Sequence, residues 1–163
     1  MNYVYSVLYS NIYREKYAEF LKIDFPRIPF TNDFDLFKKM AKLGEEHTEL
    51  HLLKSDSVYN PSVKYFGKGK NDKIEKVKYD EGEHRVYINE DKYFEKVKPE
   101  IWNYNIGDYQ VMEKYLKDRK GRQMEDSGHY SRVAAAIAKT IEVQKKIDKL
   151  FEIAEERLIE FCR

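Results

Sequence analysis

The chain has 163 residues, which suits one domain, and its 30 Lys and Arg balance 29 Asp and Glu to leave a formal net charge of +1. This balance indicates neither a uniformly basic nucleic-acid-binding protein nor an acidic tail. Charged residues make up 36% and aromatic residues 15% of the sequence. Because aromatic residues are this abundant, the composition excludes a disordered chain and predicts a folded core rich in Tyr and Phe.

The chain has one cysteine, Cys162, which excludes an internal disulfide and a zinc site built from several thiolates. No helix start or cation cluster accompanies this cysteine, so we do not expect it to act as a nucleophile. No apolar run approaches the roughly 18 residues of a membrane span, and residues 1–5 lack the features of a secretory signal. We therefore expect a cytoplasmic protein that does not associate with membranes.

The first third of the chain predicts two helices separated by an extended segment. Apolar residues recur at helical spacing over Tyr3–Lys22, which predicts the first helix. Pro26 and Pro29 exclude a helix and favour an extended backbone between the two elements. A polar residue among 31–33 can then cap a second helix, which we expect over roughly Asp33–Lys54.

The middle of the chain predicts a small sheet. Alternating short segments indicate strands at Val63–Phe66, Ile74–Tyr79 and Arg85–Ile88, and Tyr93–Phe94 is expected to end the sheet. Pro99 then marks a plausible helix start.

Two further helices are expected in the last third. Tyr109–Lys120 returns to helical periodicity, and Asp126 or Ser127 can cap a long final helix. Apolar residues over 143–161 recur at spacings close to a heptad seam. The order of helix, helix, small sheet, helix and long helix predicts an α+β fold, with helices at both ends flanking a small antiparallel sheet.

The sequence offers little support for catalysis or a metal site. His47 and His51 lie one helical turn apart, but Thr48 stands where the zinc-protease pattern requires Glu, so we interpret both as surface or partly buried histidines of an amphipathic helix. The segment 90–92 has the acidic-to-lysine spacing of some nucleases, yet a turn is expected there. We therefore predict no catalytic residue and no metal ligand.

Positive charge is unevenly distributed despite the neutral total. The segment 64–78 holds six lysines against two acidic residues, and 114–122 holds five cations against Asp118, so each carries a local charge of +4. Clustered cations of this kind can follow a phosphate backbone when they share one face. Solvated surface is the alternative interpretation, because lysine-rich surfaces are common.

Several stretches, in order along nearly the whole chain, resemble a known family. Tyr13–Lys22 and Asp24–Pro29 resemble the junction just beyond the catalytic domain in type ISP restriction-modification enzymes and related adenine methylases. Trp102–Gly107, Leu116–Arg122 and His129–Ile141 resemble the C-terminal specificity domain of the same enzymes. The resemblance implies a target recognition domain that binds double-stranded DNA and selects the sequence to be methylated.

The resemblance also implies a division of labour with another domain. In this family, catalysis belongs to an upstream domain that binds S-adenosylmethionine and carries an Asn-Pro-Pro-Tyr-type motif, and neither feature is present here. The only Asn-Pro is Asn60–Pro61, and Ser62 breaks the motif. We therefore expect a fragment, a separate subunit or a truncated gene product that does not methylate alone, with a methyltransferase catalytic domain as partner and no cofactor in this chain.

Site residues follow from the basic clusters together with the resemblance. Arg119 is our candidate for a base contact, since Arg matches guanine with two parallel hydrogen bonds. Phosphate contacts are assigned to five other cations of the two clusters, Lys68, Lys70, Lys117, Lys120 and Arg122. Lys73 is a further candidate for DNA binding. Pro26, Arg27 and Pro29 are expected to position the domain against the catalytic domain.

One domain over 1–163 is expected, with a junction over 1–30, a recognition core over 31–125 and a C-terminal helix over 126–163. A helical protein-interaction module that uses the apolar seam over 143–161 is the alternative function.

Overall fold

In the computed structural model, which describes residues 1–159, the first segment forms three short helices rather than the single predicted one. These are α1 (Asn2–Tyr9), α2 (Asn11–Lys16) and α3 (Ala18–Leu21). The first break lies at Ser10, whose backbone is extended. The Ser10 side chain caps α2 by accepting a hydrogen bond from the Tyr13 amide. The Ser10 hydroxyl also donates to Asp148 Oδ1 at 2.8 Å, so a distant carboxylate stabilises the break.

The chain divides into two compact units. Unit 1 comprises Met1–Lys54 and the described part of Lys139–Arg163, and unit 2 comprises Ser55–Ala138. The long helix α7 (Ser127–Glu155) contributes residues to both units. The expectation of a single domain over 1–163 stays a prediction.

The second predicted helix is confirmed as α4 (Phe34–His51), with Asp33 as its cap. The Asp33 side chain accepts hydrogen bonds from the amides of Asp35 and Leu36, the geometry that an N-cap requires. The segment before this helix is extended, as its two prolines predict. Gly44 permits the close contact between α4 and α1, because a Cβ there would lie 1.9 Å from the carbonyl oxygen of Asn2.

The core of unit 1 uses the apolar residues of the predicted seam. A cluster of aromatic and aliphatic side chains is buried between α1, α4 and the second half of α7. The seam residues Val143, Ile147 and Ala154 are each at most 1% exposed. These side chains pack within their own unit, so most of the described seam offers no free surface to another chain, whereas Leu150 is partly buried and Leu158 is 41% exposed. The end of the seam at Phe161, like Cys162, lies outside the described residues.

The histidines at 47 and 51 belong to an aromatic cluster with Tyr5 and Tyr9. The expectation of a surface or partly buried position holds for His51 but is wrong for His47, which is enclosed by these rings. The His47 ring is fully buried, and the rings of His47 and His51 lie 4.3 Å apart between centroids. Burial, together with the nearby His51 ring, lowers the pKa of His47 to about 3. His47 is therefore neutral at physiological pH. Within the described residues, no cluster of three or more His, Cys, Asp or Glu could hold a metal ion.

Unit 2 is built on a four-stranded antiparallel sheet, which confirms the predicted α+β class. Its strands are β1 (Lys64–Gly67), β2 (Lys78–Asp80), β3 (Arg85–Tyr87) and β4 (Lys92–Glu95), in the order β1-β4-β3-β2. Tyr65 pairs with Phe94, and Phe94 also pairs with Val86. Phe94 packs on Tyr130 of α7 with ring centroids 4.3 Å apart, so the sheet covers the first part of the long helix.

The predicted strand over Ile74–Tyr79 is wrong at its beginning, because only the end of it forms β2. Ile74 is fully buried, but its backbone forms hydrogen bonds with Gly121 and Arg122 instead of with a strand of the sheet. The amides of Glu75 and Lys76 both donate to the carbonyl of Ile88, at 2.8 and 3.1 Å, so this segment passes the edge of β3 without a regular ladder.

A short helix and a hairpin follow the sheet. Helix α5 (Pro99–Trp102) begins at Pro99, as predicted. The expected helix over Tyr109–Lys120 is wrong at both ends, because β5 (Asn105–Ile106) and β6 (Tyr109–Gln110) form a hairpin and α6 covers only Val111–Lys117. Gly107 adopts a φ of +57° in the hairpin turn, which fixes Tyr109 in a strand.

The long helix begins where its capping signal predicts. The Asp126 side chain accepts from the His129 amide at 2.7 Å, which caps α7. The helix ends at Glu155, so Leu158 does not continue it as the seam predicted. Leu158 instead forms an isolated antiparallel bridge with Thr31. Among residues 1–159, no helix is both long enough and apolar enough to cross a membrane.

Candidate nucleic-acid interface

Backbone hydrogen bonds join the two basic stretches of the sequence. Ile74 donates its amide to the Arg122 carbonyl at 2.9 Å and accepts from the Gly121 amide at 2.7 Å. The Met124 amide donates to the Asp72 carbonyl at 2.8 Å, and Lys73 forms a bridge with Gln123. We call this pairing of 72–74 with 121–124 the cross-link. It joins the backbones of the two basic stretches, although the sequence separates them widely.

The cations at the cross-link form a basic surface. Its core lies on the loop after β1 and on the turn after α6, and it comprises Lys68, Lys70, Lys73, Lys120 and Arg122. All five side chains are exposed, and none forms an ion pair with a described residue. Lys117, at the end of α6, is exposed but pairs with Glu113 at 2.8 Å. Exposed pairs of this kind are weak, so Lys117 can exchange Glu113 for another anion at little cost.

The lysine-bearing loop after β1 is held at its base by Asn89. The Asn89 amide nitrogen donates to the carbonyls of Asn71 and Lys73, both at 3.0 Å. Its oxygen accepts from the amides of Asp91 and Lys92, at 2.9 and 2.8 Å. Asn89 is 7% exposed, so these four hydrogen bonds are largely sheltered from water. One side chain therefore fixes the end of the loop to the turn before β4.

Two further features define this loop. Gly67 has a φ of +141°, and a Cβ there would lie 2.1 Å from the Asp91 carbonyl oxygen, so no other residue fits without rearrangement.

The Tyr65 hydroxyl donates to Asp72 Oδ1 at 2.7 Å, and Lys92 lies 3.3 Å from the same oxygen. These two contacts hold the pKa of Asp72 below its ordinary value. Asp72 is therefore ionised at neutral pH, with Lys92 offsetting its charge.

Arg119, in the second stretch, is held by two contacts to Tyr115. Its guanidinium lies over the Tyr115 ring, 3.8 Å from the centroid, and its Nη1 donates to the Tyr115 carbonyl at 3.0 Å. Tyr115 in turn packs on the buried Tyr130, with ring centroids 5.2 Å apart. Because a guanidinium carries five N–H donors, Arg119 keeps donors for a ligand while its position is fixed. It borders a surface groove of about 180 Å³ together with Arg122 and Gln123.

The predicted junction residues lie in the extended segment of unit 1. The Tyr13 hydroxyl donates to the Arg27 carbonyl at 3.0 Å, and the Tyr3 hydroxyl donates to the Pro29 carbonyl at 2.8 Å. The Arg27 guanidinium lies 5.0 Å from the centroid of the Phe20 ring. Tyrosines of the core thus fix the backbone of this segment, while the nearby Phe25 is 87% exposed. The role of Pro26, Arg27 and Pro29 at an interface stays a prediction.

Sequence reasoning identified the cations but missed the residues that hold them. Asn89 lies between the predicted strand ending at Ile88 and the turn expected at 90–92. Only its Asn type gave a signal, since Asn side chains commonly bond nearby backbone in turns. Tyr115 lies four residues before Arg119, a spacing that brings side chains together in a helix and here does so across the end of α6. Trp102 is 8% exposed and stacks on Tyr79, so it packs in the core. Tyr109, by contrast, is 62% exposed.

The family of the chain follows from a match to its sequence. The family described as the Type ISP C-terminal specificity domain matches residues 1–150. The chain therefore belongs to the Type ISP C-terminal specificity domain family. A comparison with curated proteins finds no match.

Solved structures share the same fold. A nuclease-deletion mutant of the Type ISP restriction-modification enzyme LlaGI, in complex with a DNA substrate mimic, matches 98% of this chain with a TM-score of 0.65 and 21% identity. The ATP-dependent Type ISP enzyme LlaBIII bound to DNA matches 98% with a TM-score of 0.62 and 20% identity. A DrdV–DNA complex matches 97% with a TM-score of 0.59 and 24% identity. The chain spans 14%, 11% and 18% of the lengths of those three chains.

We expect Asn89→Ala to loosen the lysine-bearing loop. The substitution leaves buried backbone groups without partners, which costs about 1–3 kcal/mol of unfolding free energy. Urea denaturation measures this loss, and hydrogen exchange should show faster exchange at the amides of Asp91 and Lys92. Asn60→Ala, at an exposed position, is the control and should change stability by less than about 0.5 kcal/mol. Equal stability of the two variants would contradict the anchoring role of Asn89.

Proposed function

We propose that this chain is a DNA-binding target recognition module of a restriction-modification enzyme that methylates adenine at N6. The observation that carries the proposal is the cross-link, which joins two stretches of local charge +4 into one basic surface. Membership of the specificity-domain family supports it, and so do the DNA complexes of the three solved relatives. The ligand we propose for this surface is double-stranded DNA.

The unpaired cations of the basic surface suit contacts to phosphates. Lys68, Lys70 and Lys73 lie on one side of the cross-link, and Lys120 and Arg122 lie on the other. Exposed lysines provide charge that is not tied to one geometry, which matches contacts that depend on the backbone of DNA rather than on its sequence. Lys117 adds a contact when it leaves Glu113 for a phosphate.

Arg119 suits a contact to a base edge. Readout of guanine by two parallel hydrogen bonds requires a guanidinium of fixed orientation. Stacking on Tyr115 and the hydrogen bond to the Tyr115 carbonyl supply that order before any ligand binds. We therefore propose that Arg119 contributes to sequence preference, whereas its neighbours contribute to affinity.

Methylation would require a second component. We propose that a methyltransferase catalytic domain, with S-adenosylmethionine as its cofactor, acts together with this chain. Chemistry at adenine N6 requires a base extruded from the duplex, so a separate domain that holds the surrounding DNA is a reasonable division of labour. The segment with Pro26, Arg27 and Pro29 is our candidate for contact with that domain, because its backbone is fixed while Phe25 is exposed.

The alternative of an interaction module built on the 143–161 seam is not favoured, since Val143, Ile147 and Ala154 are buried.

Lys120→Ala with Arg122→Ala should weaken binding to all duplex sequences. Each lost phosphate contact reduces the slope of log K against log salt by about 0.9, so the double variant should lower the slope by about 1.8. Fluorescence anisotropy with a pool of random duplexes, titrated across salt, measures this change. The control is Lys54→Ala with Lys145→Ala, two exposed lysines of unit 1. An unchanged slope, or the same change in the control, would exclude this surface as the DNA contact.

Arg119→Lys should reduce sequence preference while leaving the salt slope nearly unchanged. Lys keeps the positive charge but loses the planar fork that binds guanine, which is worth about 1–3 kcal/mol of discrimination. The preferred duplex is first selected from a random pool with the unmodified chain. Its affinity relative to a scrambled duplex should then fall by about tenfold or more in the variant. Full retention of the preference would contradict a base contact by Arg119.

A further inference from the structure

Unit 1 carries an apolar groove with a basic rim, far from the cross-link in sequence. One face of α4 contributes residues 39, 42, 43 and 46, at helical spacing, and α7 contributes 146, 149 and 150. The groove has a volume of about 430 Å³, and Leu43 and Leu150 form its floor. Both leucines are partly buried, so each presents apolar surface to the groove while packing against its own unit.

The rim of this groove has an excess of unpaired positive charge. Four lysines and one glutamate, a formal charge of +3, surround the two leucines: Lys39, Lys42, Lys146, Lys149 and Glu46. All five side chains are exposed. In the part of the chain that the structure describes, none of the four lysines forms an ion pair. Lysine stems can also extend the apolar lining, because their methylenes lie along the surface while the ammonium stays in water.

We infer that this groove binds an acidic amphipathic helix of a protein partner. Two helices that border an apolar channel accept a third helix through apolar side chains at i, i+3, i+4 and i+7. The lysine rims then pair with Glu or Asp on both flanks of that helix, which fixes the sign of the partner's charge. The inference does not depend on DNA binding at the cross-link.

Two observations favour a protein over DNA at this site. The floor is formed by leucines, and a phosphate backbone offers no apolar ridge to cover them. The chain also spans only 11–18% of the solved relatives, so most of the polypeptide that accompanies this fold in those enzymes lies outside it. The acidic helix is therefore expected in the remainder of a longer polypeptide that carries this domain.

The test uses the full chain and a labelled synthetic peptide of about 18 residues. The peptide carries Leu at i, i+3, i+4 and i+7 and Glu on both flanks, and a matched peptide carries Lys in place of Glu. We expect the acidic peptide to bind and the basic peptide not to bind. Lys146→Glu with Lys149→Glu should weaken binding of the acidic peptide by about tenfold, as expected for the loss of two exposed ion pairs.

Lys54→Glu with Lys145→Glu is the matched control, because both positions are exposed and lie outside the groove. It should change peptide affinity by less than about twofold, and circular dichroism checks that both double variants fold. Affinity for random duplex DNA should be equal in the two variants. Failure of the acidic peptide to bind, or equal weakening by both variants, would overturn the inference. A loss of DNA binding confined to Lys146→Glu with Lys149→Glu would overturn it as well, because it would make the groove a phosphate contact.

Discussion

The basic surface depends on the pairing of residues 72–74 with 121–124. Ile74 is fully buried, and both its amide and its carbonyl bond to the second segment. Separating the two segments would leave these backbone groups without partners in an apolar environment, which is costly. The segments that carry Lys73 and Arg122 therefore stay paired through their backbones. The same constraint brings cation-bearing segments of both basic stretches together, where one anionic ligand can contact both.

Order within this surface is graded, and the gradation matches two kinds of DNA contact. Arg119 is held by the Tyr115 ring and carbonyl. Lys68 and Lys70 instead lie on an exposed part of the loop, which Asn89 anchors only at its base. A rigid donor can distinguish base edges, because its hydrogen bonds form only in one geometry. Flexible cations tolerate variation in backbone position and contribute affinity at any sequence.

Local signals in the sequence predicted much of the fold, and long-range contacts explain what they missed. The starts of α4, α5 and α7 depend on Asp33, Pro99 and Asp126, which act within their own turn. The break at Ser10 instead depends on Asp148, 138 residues away, and helical periodicity cannot reveal such a contact. Ile74 was assigned to the sheet for the same reason, since its partner lies in the turn after α6. The cations of the site were predictable from local charge, but their assembly into one surface was not.

Hydrogen exchange of the chain with and without duplex DNA tests the central claim most directly. If the cross-link assembles one DNA-binding surface, DNA should slow exchange in 68–73 and in 117–123 together, at the same DNA concentration. The amides of α4 and of the second half of α7 should be unaffected. Protection of one basic stretch without the other, or protection confined to unit 1, would contradict a shared surface at the cross-link.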